Sequence, residues 1–515
     1  MNGARSLVET LVASGVDVCF ANPGTSEMHF VATLDEVRSM RAILALFEGV
    51  ATGAADGYGR VAGVPAATLL HLGPGLGNGI ANLHNAKRAK TPVVNVVGDH
   101  ATFHKRYDAP LESDIESLAR SVSGWYRSSA RPDDVAGDAL DAVDAAFGPP
   151  GCVATLVLPA DVSWSQCRDL PVRPRARRTA ASVPQDAVDT AASTLRSKSG
   201  TAILLGGTAL TERSLLAAGK ISAATGAKLL CETFPSKIAR GAGLPDVERL
   251  GYLAEFTQAQ LEGLNHLIIV DTNAPVSFFA YPGHESYLVP PGCEVHTLAR
   301  SSENAPLALE SLVESLAATT VSPVVSSPKR PDPPTGALTI ESLAAAVGAL
   351  LPEDAIVVDE ANTAGIFIPG VTSGSPRHDW LTLTGGAIGQ GIPVATGAGV
   401  AARGRRVVSL EADGSAMYTI QGLWTQAREG SDVTTIVFAN HSYAILHMEL
   451  SRVGAAGGEK AKEILDLTGP ELDFVSIATG LGVPATKATT ADDFYVQLAR
   501  SFHEPGPSLI EAVLA

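Results

Sequence analysis

Apolar residues in this chain gather into short, nearly unbroken runs instead of alternating with polar ones. VDVCF (16–20), ILALF (43–47), AATLLHL (66–72) and PVVNVVG (92–98) come first. TAILLGG (201–207), AKLLCET (227–233) and HLIIVDT (266–272) lie in the middle of the chain. AIVVDE (355–360), RRVVSLEADG (405–414), DVTTIVFAN (432–440) and PSLIEAVL (507–514) close it. Short runs rich in β-branched residues predict strands, and the lack of alternation predicts strands buried on both faces. Helical segments are predicted between them, after Thr25 or Ser26, after Glu48 and after the glycine-rich GPGLGNG at 73–79. Strand and helix in alternation give an α/β architecture of parallel sheets. Two stretches rich in proline, 168–184 and 322–336, resist helix and central strand and read as extended connections. They predict three doubly wound parallel-sheet domains, at 1–167, 186–320 and 337–515. In such sheets ligands sit at the carboxyl ends of the strands, so those ends are where chemistry is expected.

Composition narrows the partners. Of 515 residues, 45% are apolar and 18% charged, which suits packed domains and excludes a disordered chain. The net charge of −16 argues against nucleic acid as a partner, while a local site for a small anion stays open. Five scattered cysteines with no CxxC pair fit a reducing compartment and exclude a thiolate zinc site. The opening MNGARSLVETLVASG has no signal-peptide pattern, and no run reaches the ~18 apolar residues of a membrane span. A cytoplasmic protein without a membrane partner is expected.

The chemistry is carried by loops. The strand ending in Ala412 runs into Asp413, Gly414 and Ser415, and a helical segment then leads to the strand ending at Asn440. A parallel β-α-β crossover brings the two strand ends side by side. A carboxylate and an amide oxygen there are hard ligands, suited to Mg²⁺ and not to zinc. Taken singly, an N-cap Asp and a turn Asn would explain each residue as well. GPGLGNG does not satisfy G-x-G-x-x-G, because Asn78 stands at the third glycine position, so nicotinamide binding is not expected.

The pattern ADGS…ANHSYA resembles the thiamine-diphosphate signature, with Ala412 and Ala439 replacing a glycine and an asparagine of the family pattern. The resemblance implies Mg²⁺ held by Asp413, Asn440 and the backbone carbonyl of Ser442, with Gly414, Ser415 and Tyr443 around the cofactor. FEGVATGAADGYGR (47–60) resembles the family's motif for the catalytic Glu, which implies that Glu48 hydrogen-bonds N1′ of the aminopyrimidine. TLTGGAIGQGIP (382–393) is similar to the pyrimidine turn, with Gly386 offering its carbonyl and Ile388 holding the cofactor bent. Asn362 and Thr363 match diphosphate-holding positions. NPGTSE (22–27) and LLHLGPG (69–75) resemble substrate-facing loops, which puts Thr25 and His71 beside the substrate as catalytic residues. His100, His104, Phe278 and Phe279 would line its pocket.

The resemblance spans the chain and is to the acetolactate synthase/benzoylformate decarboxylase family. It implies a thiamine-diphosphate- and Mg²⁺-dependent decarboxylase or carboligase of 2-oxo acids, working through ylid and enamine intermediates. The alternatives are a benzoylformate-type or other non-oxidative decarboxylase, and a cofactor-binding subunit without catalysis. No flavin fingerprint is present, so FAD has no support in the sequence although it stays an open alternative. A homodimer or homotetramer with active sites between subunits is the implied assembly.

Overall fold

A computed structural model of the protein describes residues 1–168, 173–197, 200–455 and 457–515. The first third builds a six-stranded sheet from β1 (Val18–Asn22), β2 (Arg41–Leu44), β3 (Ala66–Leu70), β4 (Val93–Asp99), β5 (Trp125–Ser128) and β6 (Val153–Pro159). All its pairings are parallel, in the order β2-β1-β3-β4-β6-β5. Every residue of β3, β4 and β6 is buried. Successive side chains of a strand point to opposite faces, so Val94 and Val96 enter one core with Leu7, Phe30 and Leu156. Val93 and Val97 enter a second core with Phe20, Val50, Leu83 and Val157. Two cores on one sheet are why its strands read as continuous apolar runs.

The middle sheet contains β7 (Thr201–Leu205), β8 (Lys228–Cys231), β10 (Glu248–Arg249), β11 (His266–Val270) and β12 (Glu294–Ala299), in the order β10-β8-β7-β11-β12. The third sheet contains β13 (Ala355–Glu360), β14 (His378–Thr382), β15 (Val407–Ala412), β16 (Val433–Ala439), β17 (Ala485–Ala488) and β18 (Ser508–Val513). Its free edge beside β14 is taken by β9 (Ile238–Arg240), which runs antiparallel with His378 opposite Arg240. The expectation of purely parallel sheets therefore fails at this edge. The strand also comes from residues expected in the middle domain. An edge strand in a mixed sheet needs no crossover helix, so a short segment from elsewhere in the chain can pair there. Residues 322–336 lack helix and strand, as their prolines require, yet they are tied down. Ser326 donates its N–H to the Leu244 carbonyl and Lys329 to that of Gly374, each at 2.9 Å. No helix among the described residues is long and apolar enough to cross a membrane.

At the carboxyl ends of the middle sheet, where a dinucleotide would lie, stand the acidic side chains of Asp271 and Glu232, with Lys90 Nζ 3.6 Å from Asp271. Asp271, at φ 54°, accepts hydrogen bonds from the N–H and hydroxyl of Thr208, both at 2.8 Å. A Cβ on Gly207 would lie 2.4 Å from the same carboxylate. Glu232 accepts from the Thr272 hydroxyl at 3.1 Å, and burial pushes its carboxyl up to about 7 from 4.5. Because the folded value lies above the unfolded one, the proton favours the folded state. That contribution is full below about pH 4.5 and is lost as pH rises toward 7, up to about 3 kcal/mol in all. Glu232→Gln is therefore expected to flatten the fall of melting temperature across this window; parallel curves for the two proteins would mean that Glu232 is ionised in the fold.

Candidate active site

Four strand ends of the first sheet stand in a row. The turn after β2 leads to Glu48, that after β1 to Thr25, that after β3 to His71 and that after β4 to His100. Glu48 is the first residue of the helix Glu48–Ala62, whose Ala and Gly content lets it touch the backbone of a second helix, Gly391–Ala401. A Cβ on Gly57 would lie 2.1 Å from the Val394 carbonyl oxygen, and one on Gly397 1.9 Å from that of Ala54. The Glu48 carboxylate is buried (9% exposed) and accepts from Asn78 Nδ2 at 3.0 Å.

GPGLGNG, expected to precede a helix, is instead the opening of the helix Leu72–Ala89. Packing overrides the poor helix propensity of its glycines. A Cβ on Gly75 would lie 3.1 Å from Glu48 Oε1, and one on Gly79 would lie 2.8 Å from Thr52. Asn78 is thus a site residue that the sequence shows only as a misplaced glycine.

His71 caps this helix, and the next residue, Leu72, has φ 49°. A side-chain-bearing residue in that region costs about 1–2 kcal/mol, and the turn holds His71 at the tip of β3. His71 Nδ1 lies 2.8 Å from Glu27 Oε2, which also accepts the Gly24 N–H at 2.7 Å. Burial raises the Glu27 carboxyl above its usual range, while His71 pulls it down. Glu27 Oε1 is buried without a partner, as is His100 Nε2. Thr25 is exposed, and the buried, bonded residue of its turn is Glu27. The sequence reading missed Glu27; its one signal is a carboxylate two positions past Thr25. His104 is exposed, its ring 5.3 Å from that of His100.

The third sheet supplies a matching row. Parallel pairing of β15 with both β13 and β16 brings Asn362, Asp413 and Asn440 to neighbouring strand ends. Asp413 accepts from the N–H of Gly414 at 2.8 Å and of His441 at 2.7 Å, and Asn440 Oδ1 accepts from Ser442 N–H at 3.1 Å. Asn362, at φ 51°, donates from Nδ2 to the Ser415 hydroxyl at 3.1 Å. Thr363 is half-buried beside it. The Tyr443 ring lies over Gly414, where a Cβ would approach it to 2.4 Å. Asp413 is 3% exposed, burial raises its carboxyl, and no ion pair among the described residues involves it. A buried carboxylate without a cation is costly, so this oxygen set suits a bound Mg²⁺.

The turn at Gly386 joins the two rows. Asn85 Nδ2 donates to the Ala387 carbonyl at 2.8 Å, and Asn82 Nδ2 donates to Gly49 at 2.8 Å and Gly389 at 3.2 Å. Arg60, ion-paired with Asp56, donates to the Thr382 carbonyl at 2.8 Å. Ile388 is half-buried and belongs to none of the apolar cores, which separates it from ordinary core packing. Gly386, at φ 76°, faces the Phe278 ring, 2.8 Å from where a Cβ would be. Phe278 packs in turn against Phe234 and Phe279 edge to face and against Tyr252 at a tilt, at centroid distances of 5.2–5.5 Å. Beneath the turn Glu360 accepts the N–H groups of Gly389 and Gly391 at 2.7 and 2.6 Å. Burial lifts its carboxyl to about 7 and raises that of its neighbour Glu411.

Residues 1–117 match the family described as "Thiamine pyrophosphate enzyme, N-terminal TPP binding domain", and residues 370–512 match its C-terminal TPP binding domain. A Mycobacterium tuberculosis protein that carries an acetolactate synthase large-subunit name, IlvX, is 58% identical over 516 residues, covering 100% of this chain and 99% of its own. Benzoylformate decarboxylase of Pseudomonas aeruginosa is 28% identical, covering 98% and 97%. The structure of the Rhodococcus jostii thiamine diphosphate-dependent 4-hydroxybenzoylformate decarboxylase superposes with a TM-score of 0.86 at 25% identity, covering 100% and 99%.

Proposed function

The chain belongs to the thiamine-diphosphate enzymes of the acetolactate synthase/benzoylformate decarboxylase family, and on that premise we propose a Mg²⁺-dependent decarboxylase or carboligase whose 2-oxo acid carries an apolar side chain. The observation that carries this reading is the pair of strand-end carboxylates on different sheets: Glu48, held by Asn78, and Asp413, buried with no ion-pair partner among the described residues. When bound, thiamine diphosphate supplies a nucleophilic carbon and an electron sink that let a 2-oxo acid lose carbon dioxide. Asp413, Asn440 and the Ser442 carbonyl would hold the Mg²⁺, and Asn362, Thr363, Gly414, Ser415 and Tyr443 the diphosphate around it. Glu48 would hold a proton at N1′ of the aminopyrimidine, Gly386 would offer its carbonyl to the 4′-amino group, and Ile388 would hold the cofactor bent. A Glu48 kept buried and hydrogen-bonded has a chemical use in an enzyme and none in an idle subunit.

His71 would pass a proton to or from the substrate, with Glu27 fixing its tautomer and ring direction. The unpartnered Nε2 of His100, at the next strand end, would be a further polar group near the substrate. The aromatic cluster of Phe278, Phe279, Phe234 and Tyr252 beside Gly386 supports an apolar substrate side chain. The side chains of Glu232 and Asp271, the latter paired with Lys90, take up space at the strand ends where a dinucleotide phosphate would bind, which supports an enzyme that works without flavin. Exposed apolar side chains flank both rows, Met28, Leu46 and Phe103 on one and Ile366, Phe367 and Tyr418 on the other. Patches of this kind fit burial in a homodimer or a larger homo-oligomer.

The test is carbon dioxide release with thiamine diphosphate and Mg²⁺ across pyruvate, branched-chain and aromatic 2-oxo acids, with products analysed for aldehyde against 2-hydroxy ketone. Release is expected from at least one apolar 2-oxo acid, and release from none would refute the proposal. On that substrate His71→Ala should lower kcat by ~10²–10⁴-fold. Glu27→Gln should cost less and shift the pH profile, with cofactor affinity unchanged in both variants.

A further inference from the structure

The chemistry above leaves unused a cluster at the opposite, amino-terminal end of the middle sheet. His266 opens β11, Glu294 opens the edge strand β12, and the strand register sets His266 beside Glu294 and Ile268 beside His296. The three side chains share the face that, farther along the strands, carries Ile268, Val270 and Leu298 into the core. His296 Nε2 lies 3.3 Å from His266 Nδ1, and Glu294 Oε2 lies 3.7 Å from each of these two nitrogens. At 3.7 Å the carboxylate is beyond hydrogen-bond reach of both rings, yet it is equidistant from them. That is the placement of groups arranged about a common centre.

A triangle with sides of 3.3, 3.7 and 3.7 Å has a circumscribed radius of about 2.1 Å, the length of a zinc–imidazole bond. Among the described residues no other group of three His, Cys, Asp or Glu brings its ligand atoms together in this way. Both rings are half-buried and within hydrogen-bond distance of each other, while the Glu294 side chain is exposed at the sheet edge.

We propose that His266, His296 and Glu294 form a binding site for a divalent transition-metal ion of the zinc class, clamping the edge strand β12 to β11. Two nitrogens and one carboxylate oxygen select zinc over magnesium, so the site differs from the all-oxygen set at Asp413 and Asn440 in ligand class as well as in location. Three protein ligands leave a fourth position for water or a small anion.

Full-length protein stripped with a chelator and returned to excess Mg²⁺ is titrated with Zn²⁺ against a chromophoric chelator. One Zn²⁺ per chain tighter than about 10 μM is expected. The His266→Gln/His296→Gln double variant should bind at least ~100-fold more weakly, and Glu294→Gln about 10-fold more weakly. Zn²⁺ should raise the melting temperature of the wild type and not that of the double variant, while the metal-free melts of the two proteins agree. Co²⁺ should give the wild type alone the visible absorption of a low-coordinate nitrogen–oxygen site. Absence of binding at that level, or equal affinity in the double variant, overturns the proposal.

Discussion

Glu48→Gln is expected to lower 2-oxo acid turnover at least about a hundredfold, ~3 kcal/mol of barrier, with cofactor affinity almost unchanged. The substitution is isosteric, and the amide oxygen still accepts the bond from Asn78 Nδ2, so the packing around Gly75 and Thr52 is kept. What is lost is a carboxyl that can hold a proton at N1′ of the aminopyrimidine. Steady-state decarboxylation measured beside the thermal shift caused by thiamine diphosphate with Mg²⁺ separates chemistry from binding. A variant keeping more than about a tenth of wild-type activity, a loss under ~1.4 kcal/mol, refutes the role given to Glu48.

Asp413→Ala is expected to abolish cofactor retention, because Mg²⁺ loses its one charged protein ligand while the diphosphate keeps its charge. Alanine also removes the acceptor for the amides of Gly414 and His441, so Asp413→Asn serves as the milder variant that retains an oxygen there. Both should lose the cofactor-dependent rise in melting temperature, and EDTA should reproduce the loss in the wild type. An undiminished rise in Asp413→Asn would remove Asp413 from the metal site. If the active sites lie between subunits, mixing dissociated Glu48→Gln and Asp413→Ala chains and letting them reassociate as dimers should restore about a quarter of the activity, since half the dimers are mixed and each mixed dimer has one intact site. No recovery, with mixed dimers present, would place each site within one chain.

The residues most legible in the sequence were those whose chemistry is local. Asp413 and Asn440 each end a strand, and a parallel crossover leaves their strands adjacent whatever the rest of the chain does. The apolar runs marked most central strands because burial on both faces leaves no polar alternation, but two interior strands, β6, buried throughout, and β14, were not among those read from the sequence. Short edge segments escaped notice: β9 and β10 hold three and two residues, too few to show a pattern. The status of GPGLGNG was illegible for a different reason. Its glycines oppose helix in isolation, and only the close approach of Glu48 and Thr52 explains why a helix forms there.

Sequence alone therefore determined the α/β class and the cofactor family, and it marked Asp413 and Asn440 as ends of adjacent parallel strands, since these rest on motifs each confined to a short stretch of chain. Tertiary structure decided that Glu27 orients His71 across 44 positions, that Asn78 holds Glu48 across 30, and that Phe278 covers Gly386. It also decided that His266, Glu294 and His296 converge on one edge of the middle sheet. Those groups meet through strand register, helix packing and loop placement, which set hydrogen-bond distances of about 3 Å and which no pattern along one strand can encode.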